Sequence, residues 1–337
     1  MKAAFYTGDK KFMVRESDME PVQPGMARLK VAYCGVCGTD VHIYHGNMDK
    51  RVTIPQVIGH EVSGEIVELG PDVTGFAVGD KVAVRPLKPG EDDPSDNGQK
   101  HIGKNLKFIG IDSPGGMQSY WNVPVYSLHL LPDSLPLQLG ALIEPLAVAC
   151  HDVRLSGLQK NENVVVLGGG PIGVLVALVA RYKGANVLLS EPNGNRRKMI
   201  EALGIETVDP VKNDIVKEVE NFTSGAMADI VFEIAGVSST TDVMTELTRA
   251  RGRIVMVAIH NEKKAIDLFR FFWRELKLIG VRVYEPEDFD EAIAIAASGL
   301  LPLNNLISRI APLDDIQQVF EAIDHNPDMM KCLLKCN

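Results

Sequence analysis

The sequence predicts an α/β fold in two parts, a strand-rich first part and a doubly wound parallel sheet in the second. Short apolar segments separated by glycine and proline turns fill the first 150 residues, as is typical of strands. From residue 163 onward strand-like and helix-like segments alternate, which predicts a parallel sheet with helices on both faces. A glycine-rich turn at 168–173 joins the first of these strands to its helix.

The predicted elements follow this division in order. In the first part we expect strands at 27–32, 64–70 and 79–84, and a long polar loop at 88–104. In the second part we expect strands at 163–167, 186–190, 229–234, 253–258 and 277–283, with helices that begin at residues 171, 195 and 239. Two further amphipathic helix patterns begin at Pro286 and Pro312.

Composition and charge narrow the possible functions. The 337-residue chain carries a net charge of −9, which argues against nucleic acid as a partner. The apolar run at 164–180 is too short and too rich in glycine to cross a bilayer, so no membrane partner is expected. The first residues do not build a signal peptide, and the five cysteines are scattered. We therefore expect the protein to reside in the reducing cytoplasm.

Residue types that bind metal lie close together in the first part. Cys37 offers a thiolate, and His60 offers an imidazole that is followed directly by the carboxylate of Glu61. Such ligands suit zinc, and a catalytic zinc takes three protein ligands and keeps a fourth position open. The third ligand is either Glu61 or Glu144, a carboxylate in an apolar run where an unpaired charge would be costly.

The residues beside Cys37 suggest a route for a proton. A hydroxyl at Thr39 can accept a proton and pass it to His42, although each residue taken alone would more often be a turn threonine and an exposed histidine. Asp40 is expected to orient His60 through its other ring nitrogen, as metal-bound histidines usually require.

Cys34 and Cys37 form a Cys-x-x-Cys pair, which alone would fit a redox dithiol or half of a structural zinc site. The sequence contains no second Cys-x-x-Cys, so this pair cannot complete a four-thiolate site within one chain. We expect Cys34 to be buried and inert.

The glycine turn fits a dinucleotide. Gly168, Gly170 and Gly173 stand where a backbone must approach a pyrophosphate at the start of a helix, with Pro171 and Ile172 between them. Further along, a strand ends in an acid whose position predicts that it binds the adenine-ribose hydroxyls and repels a 2′-phosphate. That acid is Glu191, and it favours NAD.

Two other groups complete the predicted cofactor site. Arg196 and Arg197 follow Glu191 in the next helix, where a solvated face is expected, but they keep NADP open as the minor alternative. The strand end at Val257, Ala258 and Ile259 is expected to wall the nicotinamide with backbone.

Together these motifs resemble the zinc-dependent medium-chain dehydrogenases over essentially the whole chain. The matches are the segment from Cys37 to His42, the Gly-His-Glu at 59–61, the Glu-Pro-Leu at 144–146 and the glycine turn with Glu191. The Glu-Pro-Leu segment is similar to the sorbitol (polyol) and butanediol dehydrogenase branch. The resemblance implies a GroES-like catalytic domain at 1–150 and 286–337, interrupted by a Rossmann NAD-binding domain at 151–285.

The resemblance also implies the function. It predicts an NAD-dependent oxidoreductase that binds one catalytic zinc at Cys37, His60 and a glutamate, with Thr39 and His42 as the proton relay. We expect a small secondary alcohol as substrate (a polyol, sugar or sugar acid) and a homodimer or homotetramer. An amino-alcohol dehydrogenase of the threonine type is the alternative within the class, and a non-catalytic NAD-binding redox sensor is the alternative outside it.

The sequence departs from the family pattern in one loop. Most relatives carry four closely spaced cysteines there, which hold a second, structural zinc, whereas residues 88–104 contain no cysteine. We therefore expect no structural zinc. Candidates for the lining of the substrate pocket are Tyr44, Phe108 and Trp121.

Overall fold

The computed structural model describes residues 1–260 and 262–337, and the chain divides into two compact units. The first unit comprises Met1–Glu144 and Phe289–Asn337, and the second comprises Pro145–Asp288. The observed boundaries fall at residue 144 where we expected 150, and at residue 288 where we expected 285.

The described residues contain the following elements. The strands are β1 (Lys2–Tyr6), β2 (Phe12–Glu16), β3 (Met26–Gly35), β4 (Gln56–Val57), β5 (Glu61–Leu69), β6 (Lys81–Val84), β7 (Leu87–Lys88), β8 (Lys107–Phe108), β9 (Tyr120–Pro124), β10 (Leu128–Leu130), β11 (Asn163–Leu167), β12 (Asn186–Ser190), β13 (Glu206–Val208), β14 (Ala228–Glu233), β15 (Thr248–Met256), β16 (Lys277–Gly280), β17 (Ile307–Pro312) and β18 (Lys331–Lys335). The α-helices are α1 (Gly38–Tyr44), α2 (Leu137–Gly140), α3 (Ile143–Leu155), α4 (Pro171–Tyr182), α5 (Gly194–Ala202), α6 (Ile215–Phe222), α7 (Ser238–Leu247), α8 (Leu268–Arg274), α9 (Pro286–Ala297) and α10 (Ile316–His325).

The first unit is built on a seven-stranded sheet. Its strand order is β10-β6-β5-β3-β18-β17, and β9 also pairs with β3. All of these pairs are antiparallel except the β17–β18 pair. The inward side chains are apolar and fully buried, as at Leu29, Val31, Ile66 and Leu333. Smaller sheets, β2-β1-β4 and β7-β8, complete the unit.

The predicted loop at 88–104 is irregular apart from two short 3-10 turns, Pro94–Asp96 and Lys100–Ile102. Carboxylates hold it by hydrogen bonds. Asp93 accepts the Ser95 amide at 2.9 Å, and Asp96 accepts the Lys104 amide at 2.9 Å. Both interactions stay within the loop, so they fix its shape without thiolates.

The second unit contains the predicted parallel sheet. Its strand order is β13-β12-β11-β14-β15-β16, and all five neighbouring pairs are parallel. Val164, Val165 and Val166 of β11 are fully buried, because helices cover both faces of such a sheet and its central strands are apolar throughout. This order reverses at β11, which places the glycine turn after β11 at the switch point where ligands bind in doubly wound folds. The fold class predicted from the sequence is confirmed.

A buried acid in the second unit accepts several hydrogen bonds. Asp288 is fully buried and accepts two hydrogen bonds from Arg154, at 2.6 and 2.9 Å, and one from the amide of Glu285. His151 Nδ1 lies 2.7 Å from the same carboxylate. Burial by itself would raise the pKa of Asp288, but Arg154 and His151 outweigh it and hold that pKa well below its usual value. On its other side Arg154 pairs with the exposed Glu287 at 3.1 Å.

No helix in the described part of the chain is both long and apolar enough to span a bilayer.

Candidate functional site

Three predicted metal ligands meet in the first unit. One ligand atom each from Cys37, His60 and Glu61 lies within 4.8 Å of the other two. Cys37 immediately precedes α1, whereas Glu61 opens β5 and stands opposite Gly35 of β3. Strand pairing therefore brings together residues that lie more than twenty positions apart. His60 and Glu61 are almost wholly buried.

The cluster leaves several polar atoms unsatisfied. Among the described residues, Asp40 Oδ1, His60 Nδ1 and Glu61 Oε2 are buried without a hydrogen-bond partner. Such atoms are rare in folded proteins, and a bound cation is one explanation for them. Asp40 Oδ1 faces His60 Nδ1 at 3.5 Å, while its other oxygen accepts the amide of Cys37 at 2.9 Å. Asp40 thus lies where an orienting carboxylate should be, and it also fixes the start of α1.

Burial and neighbouring charges shift the pKa values of His60 and Cys34. Burial disfavours the charged form of His60, but the charges of Asp40 and Cys37 outweigh it and raise the pKa of the imidazole well above its usual value. Burial raises the pKa of the Cys34 thiol well above its usual value. Because the thiolate is the reactive form, Cys34 is poorly suited to redox chemistry.

A buried lysine, which the sequence analysis did not identify, also lies at this cluster. Lys331 at the start of β18 donates to Glu61 Oε1 at 2.5 Å and to the carbonyl oxygen of Val36 at 3.1 Å. Its side chain is only 5% exposed, although burial of an unpaired ammonium would be very costly. Burial lowers the pKa of Lys331, but the charges of Glu61, Cys37 and Glu144 outweigh it, so the net shift is upward.

The remaining predicted residues of the first unit are placed as follows. Glu144 is buried in the first turn of α3 and is not one of the three clustered ligands. Thr39 is half-buried and His42 exposed, and their spacing of three residues along α1 puts them on the same face of the helix.

Of the three residues suggested as pocket lining, Phe108 contacts the cluster. Its ring meets the ring of His60 edge-on at 5.7 Å between centroids. The ring of Tyr44 packs instead against Phe12 and Phe320. Trp121 is a buried residue of β9.

The glycine turn of the second unit has the geometry that its motif requires. Gly168 has a φ of +116°, a conformation that favours glycine, and a Cβ at Gly173 would lie 1.9 Å from the carbonyl oxygen of Gly168. Gly170 caps α4, and a Cβ built there would meet no atom within 4 Å. Pro171 and Ile172 form the first turn of α4 and are half-buried. The helix start is therefore open where a pyrophosphate would approach.

Glu191 directly follows β12 and is held in place by two amides. Its Oε2 accepts from Gly169 at 2.8 Å and its Oε1 accepts from Asn193 at 2.8 Å. Each carboxylate oxygen keeps a lone pair for a further donor.

The two arginines beside Glu191 differ in their availability. Arg197 donates to the carbonyls of Glu191 and Pro192 and pairs with Asp209 at 2.8 Å, so its guanidinium is engaged by the protein itself. Arg196 lies 4.0 Å from Glu191 Oε2, and its buried Nε has no hydrogen-bond partner among the described residues. Of the two arginines, Arg196 is the one whose guanidinium could still bind an anion.

The predicted nicotinamide wall lies beyond β15. The amides of Val257 and Ala258 donate to the carbonyl of Glu233 at 2.9 and 3.1 Å, and Ile259 is 83% exposed. His260 was not predicted from the sequence, and its Nε2 lies 3.3 Å from the buried carboxylate of Glu233. No spacing rule points to that pair.

Comparison with known proteins identifies the family. Residues 23–133 match the family described as "Alcohol dehydrogenase GroES-like domain", and residues 171–298 match "Zinc-binding dehydrogenase". A 2-dehydro-3-deoxy-L-galactonate 5-dehydrogenase from Pseudoalteromonas atlantica is 52% identical over 338 residues, covering 100% of this chain and 99% of its relative. The chain belongs to the zinc-binding dehydrogenases. The predicted family and its polyol and butanediol branch are thereby confirmed.

Other relatives of this dehydrogenase agree. An (R,R)-butanediol dehydrogenase from Bacillus subtilis is 32% identical over the full length of both chains. The crystal structure of 2R,3R-butanediol dehydrogenase from Bacillus subtilis superposes with a TM-score of 0.92 at 30% identity, covering 100% and 99% of the two chains. A structure from Sinorhizobium meliloti that is bound to NADP has the same TM-score at 32% identity, with 99% and 98% coverage. The dehydrogenase is thus an oxidoreductase with a GroES-like domain and a Rossmann domain.

Proposed function

We propose that this dehydrogenase oxidises a secondary alcohol of a sugar acid or polyol with NAD as hydride acceptor, using one zinc ion. The observation that carries the proposal is the cluster of Cys37, His60 and Glu61 with its unsatisfied buried atoms. A thiolate, an imidazole and a carboxylate form a ligand set for catalytic zinc.

The cluster supports Glu61 as the third ligand. Glu61 Oε2 is unpartnered and close to Cys37 and His60, whereas Glu144 stays outside the group. When bound, zinc polarises the alcohol oxygen and makes its hydroxyl more acidic. Asp40 faces Nδ1 of His60, which supports Nε2 as the metal-binding nitrogen. The role we propose for Glu144 is that of a second carboxylate beside the metal.

The released proton needs a path to water. We propose that the hydroxyl of Thr39 accepts it and that His42 passes it on, because the first is half-buried and the second exposed on the same face of α1. Loss of the proton from the hydroxyl oxygen and transfer of a hydride from the carbon that carries this oxygen to NAD together convert the secondary alcohol to a ketone.

The choice of NAD is supported by Glu191. Its buried carboxylate directly follows β12 and is fixed by two amides, which suits the binding of ribose hydroxyls and opposes a 2′-phosphate. The NADP-bound neighbour and the unpartnered Nε of Arg196 support NADP as the second candidate.

The substrate class follows from the relatives. The 52% identical protein is named for a sugar acid, and this favours a sugar acid over the diols of the butanediol dehydrogenases. The L-threonine 3-dehydrogenase of Pyrococcus horikoshii is 32% identical over 314 residues, and it keeps an amino alcohol as the alternative substrate.

One set of assays tests the proposal. The zinc-loaded protein is offered 3-deoxy sugar acids, polyols, butanediol and threonine, each with NAD or NADP, and reduced cofactor is followed at 340 nm. We expect the highest kcat/KM with a sugar acid and NAD, and none in Cys37→Ala or His60→Ala. Both variants should still bind NADH, because both residues lie in the first unit and the glycine turn lies in the second. Near-normal turnover in either variant would refute the metal site.

We also propose that the dehydrogenase assembles as a homodimer or homotetramer. Helix α8 exposes Leu268, Phe269, Phe272 and Trp273, each by 66–76%, which is unusual for so apolar a helix in a monomer. Strand β16, which follows α8 in the chain, is the last strand on its side of the sheet. An exposed apolar helix and an open strand edge suit a second copy of the chain related by a twofold axis. The cytoplasm is the compartment that we propose, because all five cysteines are free.

A further inference from the structure

The position of Lys331 leads to an inference about how Glu61 binds metal, and it rests on the proposed zinc site. Glu61 Oε1 accepts from Lys331 at 2.5 Å, whereas Oε2 is buried without a partner. The two oxygens of this carboxylate are therefore not equivalent. A carboxylate that is free on both oxygens can bind a metal through one or both of them.

The lysine is held firmly in this role. Its second hydrogen bond goes to the carbonyl of Val36, the residue just before Cys37. The amide of Val36 in turn donates to the carbonyl of Cys332 at 2.9 Å, so β18 is tied to the segment that carries the thiolate. The side chains of Lys331 and Glu61 are 5% and 1% exposed, so water cannot replace either partner easily.

The charges at the site are consistent with this arrangement. The anions around Lys331 are Cys37, Glu61 and Glu144. These three negative charges and a divalent zinc would sum to −1, and the ammonium of Lys331 brings that sum to zero; the carboxylate of Asp40 beside His60 adds one further negative charge. The same ammonium repels zinc, so its two effects on metal binding are opposed: it orders Glu61, but it competes with the metal for the carboxylate.

We propose that Lys331 confines Glu61 to binding zinc through Oε2 alone, and so keeps the fourth coordination position open for the alcohol. Lys331 is then a positioning residue. A purely structural lysine and a competing lysine predict opposite results when the ammonium is removed. Loss of a structural lysine loosens the ligand set and weakens zinc, as loss of an outer-shell group usually does. Loss of a competing cation frees Oε1 and strengthens zinc.

The test compares Lys331→Met with Lys335→Met, an exposed lysine on the same strand, and with Lys331→Arg, which retains a cation. The first readout is the rate at which the zinc-loaded protein releases its metal to a chromogenic chelator. We expect Lys331→Met to release zinc about tenfold more slowly than the wild type, at the low end of the range for outer-shell changes. Lys335→Met and Lys331→Arg should match the wild type.

The second readout is the visible spectrum of the cobalt-substituted protein, because its d–d bands weaken when coordination rises from four to five. We expect weaker bands and reduced kcat in Lys331→Met only. Removing the carboxylate with Glu61→Ala should abolish the difference between Lys331→Met and the wild type. If Lys331→Met does not fold, Lys331→Leu replaces it, since leucine likewise removes both the charge and the hydrogen bond to Oε1.

Zinc release that is unchanged or faster in the neutral variants, with an unchanged cobalt spectrum, would overturn the proposal while leaving the metal site intact. A wild-type protein that binds neither zinc nor cobalt would overturn the proposed function itself, and this inference with it.

Discussion

Cofactor choice gives the sharpest test of the second unit, and Glu191→Ala is the perturbation. The carboxylate is buried and fixed by the amides of Gly169 and Asn193, so it needs no reorganisation to accept ribose hydroxyls. Hydrogen bonds to a charged acceptor contribute about 1.5–3 kcal/mol each, and water recovers part of that when the acceptor is lost. We expect NADH binding to weaken by about 2–3 kcal/mol, or roughly 30- to 150-fold.

The effect on NADPH should differ. Two like charges about 4 Å apart repel by roughly 1 kcal/mol in water and about 4 kcal/mol near a protein surface. Removing Glu191 should therefore make the free energy of NADPH binding more favourable by an amount in this range. Arg196, now 4.0 Å from Glu191, would be released to bind that phosphate. The preference for NADH over NADPH should therefore narrow by about 100-fold or more. In the double variant with Arg196→Ala, the part of the NADPH gain that comes from Arg196 should disappear, whereas the part that comes from the relieved repulsion should remain.

Fluorescence titration with NADH and NADPH measures these affinities directly, without turnover. Lys198→Ala, an exposed cation on the same helix, is the matched control and should change neither dissociation constant. A wild-type protein that binds NADPH more tightly than NADH would refute the argument. So would a Glu191→Ala variant whose preference stays within about threefold of wild type, since that is less than 1 kcal/mol.

Three further predictions address other parts of the molecule. Asp288→Asn should lower the free energy of unfolding in urea by about 3 kcal/mol at pH 7 because it leaves Arg154 without its buried acid, whereas Glu287→Gln on the exposed side should cost under about 1 kcal/mol. Because the pKa of Asp288 is lowered in the folded protein, the loss of unfolding free energy in Asp288→Asn should be constant at pH values above the ordinary aspartate pKa of about 4 and should shrink at lower pH. A loss that persists at low pH would contradict the role given to the Asp288 carboxylate. Metal analysis should find one zinc per chain, and Asp96→Ala should speed proteolysis within 88–104 without releasing metal; two zincs per chain would show a second site. Phe272→Asp should convert the proposed oligomer to monomers in light scattering, and an oligomeric mass that stays the same as in the wild type would exclude α8 from the interface.

The sequence predicted the second unit better than the first for a physical reason. Strands buried on both faces are continuous apolar runs, so β11 and β12 were predicted at their observed bounds. The three-residue edge strand β13 and helix α6 were not predicted, because a short edge strand carries little periodicity. Helix α8 was missed as well, since Phe271 packs against the core of the unit while its other apolar residues are exposed, and so its sequence has no apolar/polar periodicity.

At the metal cluster the residue types were predictable and their partners were not. Cys37, His60 and Glu61 were identified because their side chains are ligands by chemistry and lie close in sequence. Lys331 stands 270 residues from Glu61, at the start of a strand that the sequence analysis did not predict. A lysine before a short apolar run indicates a solvent-facing strand end. The lysine is buried beside Glu61 because β18 pairs with β3, and this pairing cannot be inferred from the sequence around Lys331.

The insertion of β18 beside β3 has a consequence for biosynthesis. The second unit is one continuous stretch, so it can fold as soon as residue 288 has left the ribosome. The sheet of the first unit lacks an interior strand until residues 331–335 have been made. Until then Glu61 also lacks the ammonium group of Lys331. A nascent chain would therefore complete the glycine turn and its sheet before the cluster of Cys37, His60 and Glu61 has its lysine. A chain that stopped before residue 331 would keep the continuous second unit and would lack the contact of Lys331 with Glu61.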